Sequence, residues 1–203
     1  MLGIFQTKKA EYNKLILKSL VFSSKTTSQI AEYIYLNRKA QVKPKKVNKN
    51  EVKKIVSIIS RKGSRLEELE SKQYIKRENG LWCLTLKGSC VALTLFDDMN
   101  EFLPYVQSKL DLGFSDLVEK LHEVPIIKAL VSKEELNRML NVVSPKWVLT
   151  VRECTNQLIK QGLDLDNIKE KEFELILTAK LASYYTNVEL FDKLESELRK
   201  VEP

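Results

Sequence analysis

Apolar and polar residues follow one another along most of this chain with the helical period of about 3.6 residues. Between Asn50 and Lys72, apolar positions fall on one helical face, and basic or hydroxyl-bearing positions fall on the opposite face. The apolar face contains Val52, Ile55, Val56, Ile59, Gly63 and Leu66, and the opposite face contains Lys54, Ser57, Arg61, Ser64, Arg65 and Lys72. This pattern predicts a helical segment that packs on one side and presents cationic side chains on the other.

Two interpretations of this segment differ in the role of Gly63. The preferred interpretation is one helix over residues 50–72, in which the missing side chain of Gly63 lets another helix approach the packed face. The alternative is two helices, over residues 51–60 and 65–72. It is favoured by residues 64–67, whose Ser-x-x-Glu spacing is that of a capping box directly after the glycine.

Two further helices are predicted before this segment, over residues 8–22 and 28–39. The second begins with a capping box, in which the Thr26 hydroxyl accepts from the Gln29 amide and the Gln29 side chain reaches back. The residues expected to pack this helix against the first are Ile30, Ala31 and Ile34. The connection over residues 37–50 is rich in lysine and contains Pro44, which prevents a continuous helix. It is either a basic arm along phosphates or a solvated loop.

A β-hairpin is predicted after the basic segment, because Asn79-Gly80 is the sequence preferred in two-residue turns with positive φ at both positions. The predicted pairs are Glu78 with Leu81, Arg77 with Trp82, and Ile75 with Leu84. This register places the Arg77 guanidinium where it can stack on the Trp82 indole.

The remainder of the chain, from Phe96 onward, is predicted to be entirely helical. We therefore divide the chain into a domain of helices and a hairpin over residues 1–96 and an all-helical domain over residues 97–203. The last helix carries an apolar stripe, which either completes its own bundle or pairs with a second subunit or another protein. The residues of this stripe are Leu190, Phe191, Leu194, Leu198 and Val201.

Charge divides in the same way as the predicted domains. Residues 1–96 contain 20 Lys or Arg and 7 Asp or Glu, a net charge of +13, whereas residues 97–203 contain 14 and 20, a net charge of −6. A basic region next to an acidic region indicates different partners, and the basic one suits a polyanion.

The run from Ser64 to Gly88 resembles the third helix and wing of winged helix-turn-helix transcriptional regulators. The matching positions are Leu66, Leu69, Ile75, Leu84, Thr85, Lys87 and Gly88. The resemblance covers roughly residues 8–96 and implies a mainly α fold with three helices, a hairpin wing and double-stranded DNA as partner. Two departures are the long loop before the helix and Gln73, which stands where the family usually has glycine. A left-handed cap at Gln73 is therefore expected to be absent or strained.

On this interpretation the helix enters the major groove, where Arg61 and Arg65 are candidates for guanine contacts. The full set of predicted base-contacting residues is Lys54, Ser57, Arg61, Ser64 and Arg65. The predicted phosphate and wing contacts are Arg38, Lys39, Lys43, Lys45, Lys46, Lys49, Lys53, Lys62, Lys76, Arg77 and Asn79. The alternative function is a winged-helix interaction module of a replication, repair or transcription complex, without sequence-specific contacts.

Enzymatic chemistry has little support in the sequence. His122 is the only histidine, the three cysteines form no CxxC pair, and there is no glycine-rich phosphate-binding motif. We expect no cofactor, no metal and no catalytic residues. No apolar run is long enough to span a membrane, and no secretory signal is expected. The odd number of cysteines indicates reduced thiols, so the predicted location is the cytoplasm.

Overall fold

The structure is a computed structural model that describes residues 3–6, 10–21, 23–38, 47–96, 119, 122, 123, 125 and 145–201. The side chains of residues 145–147, 185 and 187–201 lie outside this description. The described part is mainly helical and contains one small two-stranded antiparallel sheet. Before the sheet lie a 3-10 turn (Gly3–Phe5) and four helices, α1 (Ala10–Val21), α2 (Thr27–Arg38), α3 (Lys49–Ser60) and α4 (Arg65–Ser71). The sheet consists of β1 (Ile75–Glu78) and β2 (Leu81–Leu84), and after it come α5 (Leu86–Thr94), α6 (Pro145–Lys160) and α7 (Glu170–Val201).

The predicted capping box before α2 is confirmed. The Gln29 amide nitrogen donates to Thr26 Oγ1 over 3.3 Å, and Thr26 N donates to Gln29 Oε1 over 2.8 Å. Residues Ile30, Ala31 and Ile34 of α2 are fully buried, as the helical pattern predicts. Asn48 caps α3 in a similar way, since its side chain accepts from Asn50 N over 3.0 Å.

The preferred prediction of one helix over residues 50–72 is wrong. Helix α3 ends at Ser60, and Gly63 adopts a left-handed conformation with φ +68°. Apart from Gly63 and its two chain neighbours, no described atom lies within 4 Å of the position that a Cβ on Gly63 would take, so this glycine serves the turn and not a close helix approach. The two-helix alternative is the observed arrangement, with the break between α3 and α4.

The side chains of Ser64 and Glu67 stabilise the break, but they form other hydrogen bonds than those of the predicted capping box. The Ser64 hydroxyl donates to the Ile59 carbonyl oxygen over 2.6 Å, which satisfies an orphan acceptor at the end of α3. The Glu67 carboxylate accepts from Gly63 N over 2.7 Å, one residue earlier than a capping box requires.

Helix α4 ends in the left-handed turn that glycine usually supplies, although the residue is Gln73 with φ +57°. Tyr74 N donates to Leu69 O over 2.9 Å and Gln73 N donates to Glu70 O over 2.8 Å, the two bonds of a Schellman motif. The left-handed turn is therefore present, with a non-glycine residue in a conformation that disfavours a Cβ.

The hairpin register is confirmed at every predicted pair, and Asn79 and Gly80 have φ of +51° and +80°. The hairpin does not project alone, because Lys25 forms an antiparallel bridge with Trp82 through bonds of 2.8 and 2.9 Å. The Trp82 indole nitrogen also donates to the Thr27 hydroxyl over 3.1 Å. The connection between α1 and α2 therefore holds β2 at Trp82, near the tip of the hairpin.

Helix α5 lies at the centre of the described structure, in contact with α1, α6 and α7. Its residues from Lys87 to Leu93 are all buried. Gly88 is required there, since a Cβ at this position would lie 1.8 Å from the Tyr74 carbonyl oxygen. The side chain of Arg152 on α6 donates to the carbonyl oxygens of Leu93 and Phe96, over 3.1 and 3.0 Å, and so caps the end of α5.

Helices from both predicted domains contribute to one hydrophobic core. Val148, Cys154 and Phe173 from α6 and α7 belong to the same buried cluster as Ile16 and Leu69 from the N-terminal region. The predicted boundary at residues 96 and 97 stays a prediction, because residues 97–118 lie outside the described part. Among the residues described, no helix is both long enough and apolar enough to cross a lipid bilayer.

Candidate nucleic-acid interface

Helix α3 presents one basic face to solvent and packs its opposite face on α2. Ile55 and Ile59 are buried on the packed side. Exposed polar positions of the other side include Lys49, Asn50, Lys53, Lys54 and Ser57. We call this set the α3 basic face. Lys54 donates to Glu51 over 3.1 Å, but 72% of its side chain remains exposed, so this pair leaves the ammonium available to another anion.

Arg61 and Lys62 extend this basic surface past the end of α3. Both residues are exposed, and Arg61 has an extended backbone with ψ 159°. Its side chain therefore leaves the chain from a turn, not from the helical position that the sequence pattern predicted.

The prediction that Ser64 and Arg65 share this outward surface is wrong. Ser64 is only 5% exposed and its hydroxyl is bonded to the Ile59 carbonyl. The Arg65 side chain is 17% exposed and forms a 2.6 Å ion pair with Glu68. Both differences have the same physical cause: the break at Gly63 turns α4 away from the direction that a continuous helix would take.

The surface of α4 is acidic where that of α3 is basic. Glu67 and Glu70 are exposed on α4, and Glu68 neutralises Arg65. A polyanion is therefore attracted to α3 and repelled by α4.

The tip of the hairpin carries a second exposed cationic group. The Arg77 guanidinium carbon lies 5.6 Å from the centre of the Trp82 ring, which confirms the predicted stacking. Lys76 donates to Glu78 over 2.7 Å, and this bond raises the pKa of Lys76 and lowers the pKa of Glu78. Asn79 is exposed at the turn itself. The described contact of Arg77 is with an aromatic ring, which does not neutralise its positive charge. Arg77 is therefore the hairpin cation that remains available to an anion.

Arg38, at the end of α2, is already held by α1. Its guanidinium lies 4.9 Å from the centre of the Tyr12 ring, donates to the Tyr12 hydroxyl, and lies 3.8 Å from a Glu11 carboxylate oxygen. A role in phosphate binding would have to compete with these contacts.

Several predicted contacts lie outside the described residues. They are the phosphate candidates Lys39, Lys43, Lys45 and Lys46. The backbone of α7 is helical through Val201, but the side chains of the predicted stripe at Leu190, Phe191, Leu194, Leu198 and Val201 are also outside the description.

Lys87 is a buried cation whose structural role was not predicted. From the sequence it was named only as one of the positions that match winged helix-turn-helix regulators. Lys87 is 0% exposed and its ammonium donates to the carbonyl oxygens of Leu165 and Ile168, over 3.1 and 2.8 Å. Burial lowers the pKa of Lys87 to about 8, and the nearby carboxylates of Asp166 and Glu170 oppose part of this effect. The signal in the sequence is a lysine within the otherwise apolar and small residues of α5.

The described cysteines are not activated thiols. Cys90 and Cys154 are buried, which raises the pKa of their thiols to about 12 and about 11. Burial and the neighbouring Glu78 raise the pKa of Cys83 as well. Within the part of the chain that is described, no three potential His, Cys, Asp or Glu ligands come together as a metal site.

Comparison with known proteins identifies no similar protein. The chain matches no protein-family model, no curated protein sequence and no solved structure. The candidate interface therefore depends on the geometry and charge of this chain alone.

Proposed function

We propose that this protein is a winged-helix transcriptional regulator that binds double-stranded DNA through the α3 basic face. The observation that carries this proposal is the clustering of lysines and one serine on the exposed side of a helix that is packed firmly on its neighbour. Helix α3 has 12 residues, about 18 Å of length, which is enough to cross a major groove about 12 Å wide. The Arg77 side chain on the hairpin is the proposed second contact, to the backbone or the minor groove.

The exposed surface restricts which residues contact bases in this proposal. Lys54 and Ser57 lie near the middle of the exposed face, and Arg61 lies directly after the helix. Lys49, Lys53 and Lys62 are the proposed phosphate contacts, because they surround this centre. We remove Ser64 and Arg65 from the base-contacting set, since one is buried and the other is paired with Glu68.

One observation favours a second candidate, a winged-helix module of a replication, repair or transcription complex that binds nucleic acid without sequence preference. Arginine makes the most common specific contact to guanine, and only Arg61 of the two predicted arginines is exposed. A surface of lysines provides affinity and salt dependence but little base discrimination.

Selection of duplexes from a random pool, and then salt titration, tests both candidates. A regulator should bind the selected duplex at least about a thousandfold more tightly than random duplexes, the lower end of typical specificity ratios. Equal affinities for selected and random duplexes would support the second candidate. No measurable binding at low salt would contradict both.

Substitution of α3 tests the interface itself. The double variant Lys49→Ala, Lys53→Ala should lower the slope of log affinity against log salt concentration by about 2, because two phosphate neutralisations are lost. Arg65→Ala is the matched control. It also removes a positive charge from the segment, but from a side chain that is covered and paired, so the slope should stay unchanged. A salt slope that falls with Arg65→Ala and not with the double variant would place the interface on α4.

A further inference from the structure

The first residue of α7 contacts the chain on both sides of the hairpin. Glu170 N donates to the side-chain oxygen of Gln73 over 2.8 Å, and Gln73 is the turn residue between α4 and β1. The Glu170 carboxylate accepts from Leu86 N over 2.8 Å, and Leu86 is the first residue of α5 after β2. One residue therefore bonds to the segment that enters the hairpin and to the segment that leaves it.

Each of these two bonds caps the start of a helix. The Gln73 side chain satisfies an amide at the start of α7, and the Glu170 side chain satisfies an amide at the start of α5. The negative charge of Glu170 also lies at the positive end of the α5 dipole. This arrangement gives a role to the left-handed Gln73, since glycine would adopt the same turn but would have no side chain to reach α7.

Lys87 attaches the loop before α7 to the same place. Its ammonium bonds to the carbonyl oxygens of Leu165 and Ile168 and lies 4.6 Å from the centre of the Tyr74 ring. We call the contacts made by Gln73, Leu86, Lys87, Leu165, Ile168 and Glu170 the α7 junction.

Asp166, in the same loop, adds a contact to Tyr74. Its carboxylate accepts from the Tyr74 hydroxyl over 2.8 Å and from Ile4 N over 3.1 Å. Tyr74 is the residue before β1, so this bond is a further link between the loop before α7 and the base of the hairpin.

We propose that the α7 junction positions the hairpin, so that the C-terminal helices control the hairpin's contact with DNA. The inference rests on the proposed function, and its residues are positioning residues that do not touch DNA. Helix α7 has 32 residues, a length of about 48 Å. Phe173, Leu177 and Leu181 anchor its first half in the core. Glu170 directly precedes these anchors, so a shift of α7 within the core would move Glu170 and with it both ends of the hairpin.

Amide hydrogen exchange of the full chain tests the positioning. Glu170→Ala removes the bond to Leu86, so the amides of residues 74–86 should exchange about tenfold faster, as expected for the loss of one hydrogen bond. The amides of α2 and α3 should keep their wild-type rates. Glu170→Gln retains an acceptor oxygen and should restore slow exchange in the hairpin.

Glu172→Ala is the matched control at the same helix end. Its carboxylate accepts from Lys169 N over 3.1 Å, so it caps α7 without contacting the hairpin. This variant should leave exchange in residues 74–86 unchanged. Equal hairpin exchange in Glu170→Ala and Glu172→Ala, or no change in either, would overturn the positioning role.

Measurements of DNA affinity test whether the α7 junction controls the binding of DNA by the hairpin. Arg77→Ala and Glu170→Ala should each weaken DNA binding about threefold to tenfold, and the double variant should be no weaker than Arg77→Ala alone, because both act through the hairpin. Additive losses would overturn the inference. Absence of DNA binding by the wild-type protein would overturn the proposed function and its control by α7, whereas hydrogen exchange would still decide whether the junction positions the hairpin.

Discussion

Helices α3 and α4 come from one amphipathic sequence pattern but have different surroundings and different charge. Helix α3 exposes lysines along one side, whereas α4 has seven residues, buries Leu66 and Leu69, and exposes glutamates. Their separation depends on a single left-handed glycine. A continuous hydrophobic stripe therefore identifies which residues face a core but does not establish that they belong to one helix.

The two helices also differ in the segments to which they lead. Helix α3 leads into exposed Arg61 and Lys62, whereas α4 leads through a Schellman turn into the buried Tyr74. In our proposal α3 contacts DNA and α4 supports the hairpin. Substitutions on α3 should therefore change binding, and those on α4 should change stability.

The largest expected effect is on the free energy of unfolding in α4. Leu69→Ala should lower it by roughly 2–5 kcal/mol, because Leu69 is fully buried and its loss leaves a cavity. Ser57→Ala on the exposed face of α3 should change it by about 0.5 kcal/mol or less. Urea unfolding measures both. A small effect of Leu69→Ala would show that α4 lacks the structural role by which we distinguish it from α3.

A smaller effect, on the pH dependence of the unfolding free energy, concerns Lys87. Its ammonium lies against Tyr74, just after the end of α4. Its pKa is about 8 in the folded protein and 10.5 ordinarily, so the folded state loses this proton at lower pH than the unfolded state. The unfolding free energy contributed by Lys87 therefore rises as pH increases through 8. The gain should be about 2 kcal/mol between about pH 7.5 and about pH 9.5.

The measurement is the difference between wild type and Lys87→Met at each pH. Cys90 and Cys154 oppose the gain above about pH 9, because their thiols ionise in the unfolded chain first. Both proteins share this contribution, so it cancels in the difference. A difference that is independent of pH would show that Lys87 is not desolvated at the base of the hairpin.

The smallest effect concerns the break itself. Gly63→Ala should lower the unfolding free energy by about 1 kcal/mol, because an alanine is strained at φ +68° even though the space beside it is open. Gly63→Asn should cost less, since asparagine tolerates the left-handed region. Higher stability and higher helical content by circular dichroism in Gly63→Ala would instead show that a continuous helix is accessible.

Local chemistry made much of the fold predictable. The Thr26–Gln29 capping box and the Asn79-Gly80 turn depend on residues close in sequence, and both are present as predicted. The exposure of Lys54 and Ser57 results from helical period alone. Ser64 and Arg65 were placed wrongly because helical phase cannot be carried across a residue with positive φ.

The sequence by itself determined the mainly helical class, the hairpin register and the basic face of α3, because capping, turn conformation and periodicity act over a few residues. Bonds within residues 59–74 hold the break at Gly63 and the left-handed turn at Gln73. Tertiary structure decided the contact of the Gln73 side chain with α7 and the burial of Lys87. The last two depend on partners at Glu170, Leu165 and Ile168, far along the chain. Their stabilisation exists only once α7 has packed beside α5, and no local pattern contains that information.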